Sequence, residues 1–210
     1  EGIKLVEEHG GSINPVLALN YGGEKREYLC FTNEYYTPGC VMQQPLLEQH
    51  IERELTDYVK ADVLACINTM EENMRKSGYK VESGEKSVRV ELLPKKVKVI
   101  VEGDIVVEKE ETGERYEKFE PEFRSSLYDF TEIAGKILNW EASWGDSDIL
   151  SFMLSSPDIK VEKYKQEDGS KIYIPAAGED KQTDSSSALN TSSQKISVNS
   201  GSLSDLDTLS

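Results

Sequence analysis

Histidine, cysteine and tryptophan are scarce: the 210 residues include two, three and two of them. His9 and His50 are too few for a mononuclear zinc site unless carboxylates or distant parts of the fold complete it, so no metal is expected. Cys30 and Cys40 lie too far apart for a CxxC redox or zinc motif. With Cys66 they leave one possible pair and one thiol over, and the residues alone leave that choice open. No Gly-rich phosphate loop, nucleophile elbow or HExxH motif is present, and no cofactor is expected. Basic residues number 24 against 39 acidic, a formal charge of -15. Phosphate binding needs clustered Lys and Arg, so nucleic acid is not an expected partner. No apolar run approaches the ~18 residues of a membrane span, and no stretch has the layout of a signal peptide.

What is present reads as α+β. In "EGIKLVEEHGGSI", Ile3, Leu5 and Val6 share one side of a helix that Gly10 and Gly11 stop. "PVLALNY" and "REYLCF" are two short strands separated by Gly22 and Gly23. From Pro45 to Gly78, Leu47, Ile51, Leu55, Tyr58 or Val59, Val63, Cys66 or Ile67, Met70 and Met74 recur at steps of three or four, which predicts one long helix over Leu46 to Lys76. The period then changes to two. Five strands are expected in "YKVES", "SVRVELL", "KVKVIVEG", "DIVVEKE" and "ERYEKFEPEF", with turns at Ser83-Gly84, Pro94, Gly103-Asp104 and Thr112-Gly113. Val88, Val90, Val97, Val99 and Val106 give this antiparallel meander one apolar face. The long helix and a second, "SLYDFTEIAGKILNWEAS", are the available covers, the latter burying Leu127, Phe130, Ile133, Ile137, Leu138 and Trp140. A short helix follows in "DSDILSFMLSS", ended by Pro157, and the Asp168-Gly169 pair marks a C-terminal β-hairpin. The domain is therefore expected to span residues 1–174, and the Ser/Thr-rich residues 175–210 to form a disordered tail. Its "NTS" at Asn190 is the chain's N-glycosylation sequon.

Only "NWEASWGDSD" suggests chemistry by spacing. Glu141 beside two tryptophans, with Asp146 and Asp148 close behind, is a carboxylate set that a glycan-cleaving enzyme could use. The plainer reading is a helix end with aromatic core residues, Gly145 as stop and Asp146 as the next cap. His50 and Glu54, one helical turn apart, read as a surface pair. Tyr21, Tyr28, Tyr35 and Tyr36 serve either as a binding surface or as packing for a small loop.

Over roughly Glu1 to Ile174 the segments "EGIKLVEEHGGSI", "LCFTNEYYTPGCVMQQPLLEQHIERELTDYV" and "SLYDFTEIAGKILNWEASWGDSDILSFMLSSPDIKVEKYKQEDGSKIYI" resemble a group of proteins from DPANN archaea, Woesearchaeota and Pacearchaeota among them. Proteins of that group, which has no established activity, look like extracellular domains held by a single hydrophobic N-terminal helix. The resemblance implies a cell-surface location, a membrane anchor upstream of Glu1, and an unidentified protein or glycan as partner. With that location, Cys30 and Cys40 are expected to form a disulfide-closed loop, leaving Cys66 free. The expected role is non-enzymatic: recognition, adhesion or envelope structure. The alternatives are a pilin-like filament subunit and a glycan-cleaving enzyme working through Glu141.

Overall fold

A computed structural model describes residues 1–32, 39–110, 112–177 and 198–202. Helix α1 (Gly2–His9) stops at the Gly-Gly signal, and strands β1 (Ala18–Tyr21) and β2 (Glu24–Thr32) follow as an antiparallel hairpin, Ala18 opposite Glu27. Further along β2, Cys30 pairs with Met42 of the short strand β3 (Val41–Met42). A disulfide joins Cys30 to Cys40, with Cα atoms 5.5 Å apart, and so ties the buried end of β2 to the start of β3. Closing a loop of this size stabilises by roughly 2 to 3 kcal/mol in the chain-entropy model. Cys66 is a free, exposed thiol.

Helix α2 (Leu47–Lys76) buries Leu47, Ile51 and Leu55, as the periodicity predicts. Beyond Leu55 no apolar residue of α2 is fully buried: Val59 still packs on the core, and Val63, Ile67, Met70 and Met74 are half-buried. It runs along strand β4 (Lys80–Leu93), whose backbone N–H groups at Leu92 and Val90 donate to Glu52 and Thr56 at 2.8 and 2.9 Å. Those side chains cover what would otherwise be an open sheet edge.

The expected five-stranded meander is corrected to longer strands. β4, β5 (Lys96–Lys109) and β6 (Thr112–Phe119) form an antiparallel sheet, with β7 (Glu122–Arg124) also paired to β5. Ser83-Gly84 and Gly103-Asp104 are bulges within continuous strands: Ser83 pairs with Ile105 and Lys86 with Gly103, so β4 carries one extra residue there. That residue switches the inward side of β4 from Val88, Val90 and Leu92 to Val81, while β5 keeps its alternation. Ile105 therefore takes the core place expected for Val106, which is only half-buried.

Helix α3 (Leu127–Trp144) packs against α2 and against strands of both sheets. Leu127, Phe130, Ile133, Ile137 and Leu138 are buried as expected, but Trp140 is 41% exposed. The 3.6-residue period carries the inward stripe from Leu138 to Glu141, and leaves Trp140 about 100° to one side. Gly145 ends α3 at φ 76°, in the left-handed region where a Cβ would be strained. Helix α4 (Ile149–Ser155) is capped by Asp148, which accepts from the Leu150 N–H at 3.1 Å. Asp146, the expected cap, is paired elsewhere. β8 (Ile159–Lys165) and β9 (Lys171–Ala177) form the hairpin around Asp168-Gly169.

The C-terminal hairpin joins the N-terminal strands in a second sheet, ordered β1-β2-β10-β9-β8, with β3 also on β2. Strand β10 (Val198–Ser202) corrects the tail reading. Pro175–Ala177 complete β9, and Val198–Ser202 lies between β2 and β9 in a stretch expected to be structureless. A main-chain slot between two strands needs no apolar period in the segment that fills it, so periodicity gives no signal there. Asn190 and the rest of the proposed tail lie outside the described residues, as do Tyr35 and Tyr36. One core joins both sheets, running from Val6, Leu29 and Cys30 through Ile51, Leu55, Phe130 and Ile137 to Val90, Leu92, Val161 and Tyr173. Among the described residues no helix is long and apolar enough to cross a membrane.

Candidate functional site

Glu141 lies at the last turn of α3, 1% exposed and facing β9. Its Oε1 accepts from the Ser147 backbone N–H at 2.6 Å and from the Tyr173 hydroxyl, and its Oε2 from Lys171 Nζ at 3.0 Å. Lys171 also donates to the Gly145 carbonyl and sits 3.3 Å from Asp146. Lys163 Nζ donates to Asp146 at 2.7 Å and to the Ser147 carbonyl at 2.9 Å. The Lys163 hydrogen bond holds the Asp146 carboxyl below the usual carboxylate range, against its partial burial. Burial pushes the Tyr173 hydroxyl up, with the hydrogen bond to Glu141 adding. The knot fastens the α3–α4 turn to the second sheet. A general acid needs an oxygen turned toward substrate, whereas both oxygens of Glu141 point at donors of its own chain.

Several large apolar side chains stand exposed on the elements around this buried knot. Trp144 is 70% exposed, and Leu150, Leu154 and Val41 are also largely open. Trp140 stands edge-on to Phe152 of α4, ring centroids 6.4 Å apart, and its indole N–H donates to the Asp146 carbonyl at 2.9 Å. The disulfide loop closes in from the other side: a Cβ at Gly39 would lie 2.2 Å from the Ala142 carbonyl oxygen, so Gly39 permits that backbone contact. The loop's covalent anchor, α3 and α4 thus meet at one end of the molecule. The described tyrosines serve packing: Tyr28 bonds Ser170 at 3.2 Å, and Tyr21 lies 5.9 Å from the Tyr164 ring.

His50 and Glu54, expected as a surface pair, are drawn into a second knot that the sequence did not reveal. Ser12 is 4% exposed; its hydroxyl donates to Glu27 of β2 and lies 2.9 Å from His50 Nε2. Glu54 accepts from the Ile13 backbone N–H at 2.8 Å. Burial, the largest effect, raises the Glu27 carboxyl, against the Ser12 hydrogen bond. Serine, histidine and carboxylate here do not form a nucleophile relay. In such a relay serine donates to histidine and the carboxylate sits behind the ring, whereas Ser12 gives its proton to Glu27 and is closed to substrate. The knot pins the α1–β1 connection to α2.

On α1, Glu7 is buried and its Oε1 has no hydrogen-bond partner among the described residues. Burial, with a smaller push from Glu8, raises its carboxyl to about 7. An unfolded Glu titrates near ~4.3, so the folded chain binds the extra proton between there and about 7. This stabilising contribution is complete at acid pH and is lost as pH rises through the folded value. Glu7→Gln is expected to stabilise by about 2 to 3 kcal/mol at pH 8 and by almost nothing at pH 4.5 in urea melts. Equal effects at the two pH values would refute this.

Two grooves lie elsewhere on the described surface. One of about 280 Å³ lies between the start of α2 and α3, with Gln44, Glu48, Gln49, Glu132, Lys136 and Asn139 on its walls. The other, about 530 Å³ and more open, runs along distal α2 beside Cys66, Met70, Met74 and Tyr79. Glu141 lines neither. Among the described residues no group of three or more His, Cys, Asp or Glu is placed to hold a metal ion. Comparison of the chain with protein-family models, with curated proteins and with solved structures finds no match in any of the three.

Proposed function

We propose that the chain is an extracellular recognition domain of a cell surface, binding a protein or glycan partner at the end where α3, α4 and the disulfide loop meet. The observation that carries this reading is the set of exposed apolar side chains on these elements: Trp140 and Trp144 on α3, Leu150 and Leu154 on α4, and Val41 next to the disulfide-bonded Cys40. Contiguous exposed apolar surface on a soluble domain marks interaction sites, and indole rings supply a flat contact area suited to sugar faces and protein anchors alike. A disulfide persists in oxidising compartments, which supports the outward location. The engagement of Glu141 by at least three donors weighs against glycan cleavage through that residue.

Trp140 and Trp144 are the chain's two tryptophans, so intrinsic fluorescence reports on this surface directly. Envelope polysaccharide or envelope protein extract from the source cells, titrated into the protein, is expected to shift that emission. Trp144→Ser, which leaves the indole bond of Trp140 intact, should weaken binding at least tenfold at unchanged melting temperature. Unaltered affinity of Trp144→Ser for an envelope fraction that binds the parent chain would place the contact elsewhere.

A further inference from the structure

β2 and β9 do not pair with each other; β10 lies between them and supplies both ladders. It runs parallel to β2, with Asn199 opposite Tyr28 and Ser202 opposite Thr32, and antiparallel to β9, with Val198 opposite Tyr173 and Ser200 opposite Lys171. Without it, two strand edges would face one another across a gap flanked by the fully buried Leu29, Cys30, Ile172 and Tyr173. Buried main-chain groups in such a gap are satisfied by another strand. The segment in the gap, "VNSGS", holds a single residue of high β propensity, and its register shifts between Asn199 and Ser200. The main-chain pairing with both neighbours is one that any copy of the same segment reproduces.

The connection points the same way. Antiparallel neighbours can be joined by as few as two residues. Twenty residues separate Ala177 from Val198, and a chain of that length reaches at most ~70 Å, far beyond the adjacent position in its own sheet.

We infer that the gap between β2 and β9 is a strand-acceptor site that takes Val198–Ser202 either from its own chain or from a second copy, so that the protein assembles by strand exchange. Contacts inside the acceptor are the same in both states, and the balance rests on concentration: a tethered segment competes at an effective concentration of ~mM. The closed monomer dominates in dilute solution, and exchange sets in when copies are crowded to that level, as on a surface. Reciprocal exchange closes a two-fold dimer; head-to-tail exchange leaves an open chain. This goes beyond the recognition role and does not depend on it.

The test uses full-length chains with Cys66→Ser. One carries Thr32→Cys and another Ser202→Cys, positions that pair across β2 and β10. Refolded together at ~1 mM, the effective concentration above, they should give a 32–202 disulfide between chains by peptide mapping, at least tenfold more than at ~1 μM. A Lys25→Cys chain, whose cysteine lies on β2 outside the β10 register, should give no such link. Three results would overturn the proposal: linkage to position 25 as strong as to position 32; no link between chains while a chain with both cysteines links to itself; or no 32–202 link in either arrangement. Light scattering on the unmodified chain, refolded at the same two concentrations, guards against a folding defect in the variants. Dimers or longer assemblies are expected at the higher concentration, and monomers at both would also refute exchange.

Discussion

Glu141→Ala lowers the unfolding free energy by about 3 to 5 kcal/mol, the range expected when one member of a buried ion pair is removed. The loss comes from what stays behind. Lys171 is left with a side chain only 14% exposed, and the Tyr173 hydroxyl and the Ser147 N–H lose their acceptor in the same step. Asp146, 3.3 Å from Lys171, compensates only in part, because its carboxylate is largely in water and also holds Lys163. At about 2 to 4 °C per kcal/mol for a domain of this size, the melting temperature should fall by roughly 6 to 20 °C. Glu141→Gln keeps the shape and one acceptor oxygen but turns an amide N–H toward donors, and should fall between Glu141→Ala and the parent. Urea melts with an unchanged m-value check this; a loss below about 1 kcal/mol for Glu141→Ala would show that water replaces the carboxylate.

The same residue shows where sequence reading stops. The apolar stripe of α3 was legible from Leu127 to Leu138 because helical period and burial agree there. At the helix end Trp140 is the larger apolar side chain, but Glu141 holds the inward position, and only the partners on β9, some thirty residues later, make that tolerable. Long α2 and the Asp168-Gly169 hairpin were legible for the same local reasons. The two bulges look locally like turns because glycine and small polar residues mark both, and the difference lies in the partner strand. The Ser12–Glu27–His50 knot and the insertion of β10 join segments remote in the chain, and neither leaves a local period. The tryptophans beside Glu141 read as core residues of a helix end, whereas Trp140 and Trp144 are exposed and the inward position of that turn belongs to Glu141.

Glu71→Ala should loosen the distal half of the molecule by about 3 kcal/mol and leave the main core folded. Beyond Leu55, α2 has no fully buried apolar residue, so polar contacts at the bulge carry much of the hold of its distal half on β4. Glu71 is the one fully buried side chain in that stretch, 3% exposed. Its Oε1 pairs with Lys86 at 2.8 Å; its Oε2 accepts from Ser83 at 3.1 Å and faces Arg75 at 3.4 Å. Burial alone would raise this carboxyl, but the hydrogen bonds from Lys86 and Ser83 and the charges of Lys86 and Arg75 hold it below the usual range. With the folded value below the unfolded one, the contribution is complete above about pH 4.5 and is lost as pH falls through the folded value. The extra residue of the bulge separates Ser83 from Lys86 by one more position on β4 than their partners Ile105 and Gly103 are separated on β5, and both side chains meet Glu71. Removing that carboxylate strands Lys86, 11% exposed, beneath the helix. Hydrogen exchange should then speed up at least tenfold in residues 67–76 and 80–86 while Ile51, Phe130 and Ile137 keep their protection. Uniform acceleration across both regions would show one cooperative unit and defeat the idea of a separately fastened arm; no acceleration in the distal segments would show that Glu71 does not hold it.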